Sequence, residues 1–121
     1  MAVNFLDIYV LKVGQKMDVD LTNKIERSPE FEDRLGVVLD CFSAFLEKDH
    51  LKVRGEFRSK KSRSIRGSME VAVVVYDAAN RVIGAASHYI SECDFFGLEI
   101  VDVFMKLSLA QVSKIKVYPK R

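Results

Sequence analysis

One stretch, Met69–Ile90, limits the possible folds of this chain more than any other part of the sequence. Two runs rich in β-branched and aromatic residues flank the short polar break Asp77-Ala78-Ala79-Asn80. This pattern predicts a β-hairpin in the middle of a sheet, and Asn80 suits a left-handed backbone position in its turn. The first arm has apolar residues on both of its sides, which indicates a strand that is covered on both faces.

Alternating apolar and polar residues predict several further strands around this hairpin. In Leu51–Arg58, Leu51, Val53, Gly55 and Phe57 point to one side. A second inward row is Val101, Val103, Met105, Leu107 and Leu109. The remaining candidates are Phe5–Val13, a short strand at Met17–Leu21, and a last strand at Ser113–Tyr118, whose outward lysines are typical of an edge strand.

A helix start signal stands at Ser28-Pro29-Glu30, because serine suits the cap and proline the first helical position. The apolar residues that follow have helical spacing: Phe31, Leu35, Val38, Leu39, Phe42, Phe45 and Leu46. We therefore expect an amphipathic helix over about residues 29–48 that packs on the sheet of its own domain.

Together these elements predict a mainly β protein, an antiparallel immunoglobulin-like β-sandwich with one amphipathic helix inserted near residues 29–48. An open α+β sheet with the helix on one face is the alternative. We expect a single domain over residues 1–121, with N-terminal strands and the helix in residues 1–50 and the sandwich strands in residues 51–121.

From Leu51 onward the chain resembles the bacterial FxLYD family of small immunoglobulin-like domains. Gly55 matches an early glycine of that pattern, Val74-Val75-Tyr76-Asp77 its tyrosine-aspartate strand end, and Val82-Ile83-Gly84 the strand after the turn. The chain departs from the pattern at Arg58, where the family has a polar amide residue. The resemblance implies a binding or accessory module and transfers no catalytic residue.

Composition and the N-terminal residues limit both the function and the location of the protein. The net charge of +2 argues against a protein that binds nucleic acid over much of its surface. No apolar run is long enough to span a membrane, and the N-terminus lacks the features of a signal peptide, so we expect a cytoplasmic protein. Cys41 and Cys93 have no metal-ligand spacing, and we interpret them as buried thiols.

Residues Arg58–Ser68 form a polar, basic loop, and its segment 58–66 is the best candidate for a binding function. It places five basic residues within nine positions: Arg58, Lys60, Lys61, Arg63 and Arg66. Serines between them can donate to phosphate oxygens, but no aromatic residue is available for base stacking. The loop could bind phosphate backbones or anionic surfaces, contact a protein partner, or simply be solvated. Phe95 and Phe96 form a second candidate interaction loop.

Catalytic and metal chemistry are not indicated. The two histidines and two cysteines have no recognised catalytic spacing, and no loop has the alternating aspartates of a calcium site. We therefore expect no catalytic residue, no cofactor and no metal. The expected function is a non-enzymatic accessory or protein-interaction module, with a protein partner or self-association. The alternative is a nonspecific binder of nucleic acid or anionic surfaces through the basic loop.

Overall fold

The computed structural model describes residues 18–107 and 112–121, and these residues form eight strands, one α-helix and one short 3₁₀ helix. The strands are β1 (Asp18–Asp20), β2 (Ile25–Arg27), β3 (Val37–Glu47), β4 (His50–Ser59), β5 (Met69–Tyr76), β6 (Val82–Ile90), β7 (Leu98–Lys106) and β8 (Lys114–Lys120). A short 3₁₀ helix, Thr22–Lys24, joins β1 to β2, and the α-helix α1 (Pro29–Leu35) joins β2 to β3. The predicted strand Phe5–Val13 and Leu109 lie outside the described residues.

These strands form two sheets. The first sheet has the order β1-β3-β4-β7 and is antiparallel. The second has the order β2-β8-β5-β6 and contains one parallel pair, β2 with β8. Inward residues of both sheets meet in one hydrophobic core, which confirms the prediction of a mainly β, sandwich-like fold.

The alternation in the sequence correctly identified the inward residues of the long strands. On β4, Leu51, Val53 and Phe57 are buried, and so are Val101, Val103, Met105 and Leu107 on and just after β7. The hairpin is also confirmed, with Asn80 in the left-handed region at φ 62°. Asp77 closes its turn by accepting the N–H groups of Ala79 and Arg81 at 2.9 Å each.

The predicted helix over residues 29–48 is wrong beyond Leu35. Gly36 adopts a left-handed conformation (φ 72°) and ends α1, after which β3 begins. A β-bulge at Cys41 and Phe42 then opposes two residues of β3 to Gly55 of β4. The extra residue makes one gap of three, from Leu39 to Phe42, in the inward row of β3. Together with the apolar residues Val38 and Phe45 of the outer side, this gap produced a spacing that resembles that of a helix.

Two further expectations need correction. Cys41 and Cys93 are exposed, not buried. Strand β8 is not an edge strand, because it lies between β2 and β5.

Along one side the two sheets approach each other through β6 and β7. Gly84 of β6 lies so close to β7 that a Cβ there would be 2.6 Å from Leu107 and 2.9 Å from Met105. His88 lies in the same row of β6 and also reaches β7. Within the described residues, no helix is long and apolar enough to cross a membrane.

Candidate functional site

The position of α1 is fixed by one buried carboxylate. Glu32 is only 2% exposed, and its oxygens accept hydrogen bonds from Arg27 of β2 at 2.8 and 3.0 Å. The same carboxylate accepts the backbone N–H of Leu39 on β3 at 3.3 Å. Glu32 therefore connects α1 to one strand of each sheet, because β2 belongs to the second sheet and β3 to the first.

In the structure the basic loop runs from Ser59, the last residue of β4, to Ser68, just before β5, and is attached to its surroundings at several points. The N–H of Lys60 donates to the carbonyl of Gly36 at 3.0 Å, and that of Ser59 to the carbonyl of Gly97 at 3.2 Å. Near its middle, Ile65 is 7% exposed and packs into the hydrophobic core. The loop thus has an apolar anchor with basic residues on either side.

Two side-chain contacts bring neighbouring segments to this loop. Lys60 forms an ion pair with Asp33 of α1. The guanidinium of Arg121 donates to the carbonyl oxygen of Arg66. Arg121 reaches this place because β8 pairs with β5, with Lys120 opposite Glu70 at the start of β5.

Between α1, the basic loop and Arg121 lies a groove of about 770 Å³, which we call the basic groove. Its described lining includes five basic residues: Arg34, Lys60, Lys61, Arg66 and Arg121. Two acidic residues, Asp33 and Glu92, also line it, and Asp33 is already paired with Lys60. The groove therefore has an excess of positive charge.

The five basic residues singled out in the sequence do not stay together. Lys60, Lys61 and Arg66 line the basic groove, whereas Arg58 and Arg63 do not. Arg58 points from β4 to the outer face of the first sheet, where it pairs with Asp40 at 2.9 Å. Arg63 is exposed on the loop.

Sequence reasoning missed two of the basic groove residues, Arg34 and Arg121. Arg34 is not among the apolar residues of the helix predicted for residues 29–48, and Arg121 is separated from the loop by more than fifty residues. Only the pairing of β8 with β5 brings Arg121 to the loop, and a sequence pattern does not specify that pairing.

The two phenylalanines of the predicted interaction loop have different environments. Phe95 is 4% exposed and packs edge-to-face on Phe57, with ring centroids 5.4 Å apart. Phe96 is 79% exposed. Only Phe96 is therefore available for contact with another molecule.

A surface that the sequence patterns did not single out is the outer face of the first sheet. Leu98, Ile100 and Phe104 of β7 are between 48% and 60% exposed, and Phe45 of β3 is 39% exposed. The register places Phe45 beside Lys52 and Lys52 beside Phe104, with the ammonium of Lys52 5.1 Å from the Phe104 ring centroid. We call this surface the apolar outer face; it consists of these four apolar residues and the charged residues between them, Asp40, Lys52, Arg54, Glu56, Arg58 and Asp102.

The environments of Cys41 and His88 do not favour nucleophilic chemistry at these two residues. The neighbouring charges of Asp40 and Glu56 raise the pKa of the Cys41 thiol, which disfavours the reactive thiolate. His88 accepts the N–H of Asp102 at 3.3 Å through Nδ1, which leaves Nε2 to donate to Glu99 at 2.8 Å. Both ring nitrogens of His88 thus connect β6 to β7.

In the described part of the chain, no group of three or more histidine, cysteine, aspartate or glutamate side chains could hold a metal ion. No family model, curated protein or solved structure matches this chain.

Proposed function

We propose that this chain is a non-enzymatic protein-interaction module that binds through the apolar outer face. The supporting observation is the exposure of Leu98, Ile100 and Phe104 in one row along a single strand. Large apolar side chains that are grouped on a surface cost free energy in water and mark interaction sites. Aromatic residues such as Phe45 and Phe104 are also enriched at protein interfaces.

The partner that this face fits best is a second copy of the chain. Its charged residues have both signs: Lys52, Arg54 and Arg58 are positive, and Asp40, Glu56 and Asp102 are negative. Arg54 pairs with Asp102 at 3.2 Å and Arg58 with Asp40 at 2.9 Å within the face, so its charges balance and an identical face turned by a two-fold rotation meets little repulsion. A strongly acidic or basic partner would meet like charges on part of it.

The resemblance to FxLYD domains agrees with this proposal, because that resemblance implies an accessory or binding role. The exposed thiols of Cys41 and Cys93 fit a reducing compartment, so we also propose a cytoplasmic location.

The oligomeric state tests the proposal. We expect sedimentation equilibrium of the wild-type chain to give twice the 13.8 kDa mass of one chain. The double variant Ile100→Lys/Phe104→Lys places two ammonium groups in the interface and should give the mass of one chain, because buried unpaired charges are strongly unfavourable.

The matched control is Val82→Lys/Tyr89→Lys, which changes two exposed apolar residues on β6 of the second sheet. This control should remain a dimer. A wild-type chain that stays monomeric at high concentration would contradict self-association through this face, as would a monomeric control.

A further inference from the structure

We infer that the basic groove binds a compact ligand that carries two or more linked phosphate groups. This inference goes beyond the proposed protein interaction, because the groove lies around the basic loop and not on the apolar outer face. Three of the five basic residues in its described lining are arginines, Arg34, Arg66 and Arg121. Guanidinium groups can donate two parallel hydrogen bonds to a phosphate, which makes them effective phosphate ligands.

The groove is held in shape before any ligand binds. Ile65 anchors the basic loop in the core, and the Lys60 N–H donates to Gly36 at the end of α1. The guanidinium of Arg121 is placed by the carbonyl of Arg66. Because these segments are already ordered, binding an anion costs less conformational entropy than it would in a mobile loop.

The pairing pattern shows which charges remain for a ligand. Lys60 is engaged with Asp33, so its charge is largely neutralised within the protein. No ion pair connects Lys61, Arg66 or Arg121 to a described acidic residue. Glu92 is the one described carboxylate of the lining without a basic partner there, and it opposes anion binding.

Size and lining favour a compact ligand over a nucleic-acid strand. A volume of about 770 Å³ is in the range of small-molecule sites. No aromatic side chain belongs to the described lining, so the groove offers no surface on which bases could stack. A long phosphate backbone would also run past Asp33 and Glu92, whereas a short polyphosphate group can contact the basic side alone.

The test is a titration of the full chain with inorganic pyrophosphate at low ionic strength, followed by the backbone amide signals in NMR. We expect shifts for residues 59–66, Gly36 and Arg121. Lys61→Gln/Arg66→Gln should weaken binding by about tenfold or more, because it removes two positive charges and their charge-assisted hydrogen bonds to phosphate. Unchanged amide signals in the hairpin Met69–Ile90 would show that this variant is folded.

Two further variants make the expectation specific to the groove. Lys24→Gln/Lys48→Gln removes the same number of charges from exposed positions outside the groove and should leave the affinity unchanged. Glu92→Gln removes the opposing carboxylate and should tighten binding by about threefold.

Other phosphate sources are compared in the same experiment. A nucleoside diphosphate that binds with the same affinity as pyrophosphate would support the inference and show that the groove accepts a diphosphate attached to an organic group. A short single-stranded oligonucleotide or an anionic lipid vesicle that binds more tightly than pyrophosphate would overturn it. The absence of amide shifts with pyrophosphate, or equal affinity of Lys61→Gln/Arg66→Gln and wild type, would also overturn it.

The variant Ile100→Lys/Phe104→Lys keeps the failure of this inference separate from that of the proposed function. Its changes lie on β7, away from the basic groove, so it should bind pyrophosphate like the wild type even as a monomer.

Discussion

At the scale of single residues, Glu32 is the side chain on which the arrangement of α1 depends most. It is buried, it pairs with Arg27, and it accepts the buried backbone N–H of Leu39. Removal of this carboxylate leaves a buried donor without an acceptor, which is among the more destabilising changes in a protein interior.

We expect Glu32→Ala to lower the free energy of unfolding by about 3 kcal/mol, with urea denaturation as the measurement. The ion pair accounts for the smaller part, because the Arg27 side chain is 43% exposed and its charge is screened by water. Glu32→Gln retains an acceptor for Leu39 and should cost about 1 kcal/mol.

Glu30 provides the control, since it is an exposed acid in the first turn of the same helix. Glu30→Ala should change the free energy of unfolding by less than about 0.5 kcal/mol. Equal effects of Glu30→Ala and Glu32→Ala would show that the buried carboxylate has no special role.

Asp77 gives the hairpin turn a dependence on pH. The backbone N–H of Arg81 donates to its carboxylate, with a further hydrogen bond from Ala79, and these hydrogen bonds hold its pKa below the usual 3.8. A lowered pKa in the folded state stabilises the fold above the unfolded-state pKa, and this contribution is lost as the pH falls through the folded-state value.

We therefore expect Asp77→Asn to be less stable than wild type at neutral pH and to lose less stability between about pH 5 and pH 2. Urea midpoints over this pH range measure both effects. The variant Asp20→Asn should behave in the same way as Asp77→Asn, because hydrogen bonds from Thr22 lower the pKa of Asp20. The two substitutions are on different sheets and should add. Parallel pH curves for wild type and Asp77→Asn would refute the assignment.

At the scale of elements, the β-bulge in β3 and the glycine in β4 form one unit. The Phe42 ring lies directly over Gly55, so that a Cβ at Gly55 would overlap it. The bulge delivers the ring to this place, and the missing side chain of Gly55 leaves room for it.

We expect Gly55→Ala to reduce the free energy of unfolding by about 1–3 kcal/mol, because the added methyl group overfills this part of the core. In a Phe42→Leu background the same substitution should cost less, since the smaller side chain can move aside. Urea denaturation of the two single variants and the double variant measures this coupling. Additive effects would mean that Phe42 does not restrict position 55.

The same bulge explains how far the elements were predictable. Strands β4, β5, β6 and β7 have an uninterrupted two-residue period or a clear turn signal, and the sequence located them within a few residues. In β3 the bulge at Cys41 and Phe42 interrupts that period. Because a true helix begins at Pro29, the apolar residues of β3 were interpreted as the continuation of that helix. Gly36 was the sign in the sequence that the helix ends there.

At the scale of the whole molecule, the candidate sites were predictable only where they consist of neighbours in sequence. Lys60, Lys61 and Arg66 belong to one loop and were identified as a group. Arg34 and Arg121 join them through the docking of α1 and the pairing of β8 with β5. The apolar outer face likewise depends on which strand is placed beside β4, and local patterns do not determine that choice.

The placement of β8 between β2 and β5 has a consequence for synthesis of the chain on the ribosome. β8 is the last of the described strands to leave the ribosome, yet it occupies an interior position of the second sheet. Until then β2 lacks the one strand with which it pairs among the described residues, and the β5–β6 hairpin exposes the edge of β5 on which β8 later pairs. The first sheet can assemble as soon as β7 has emerged, so the two halves of this small sandwich are completed at different times.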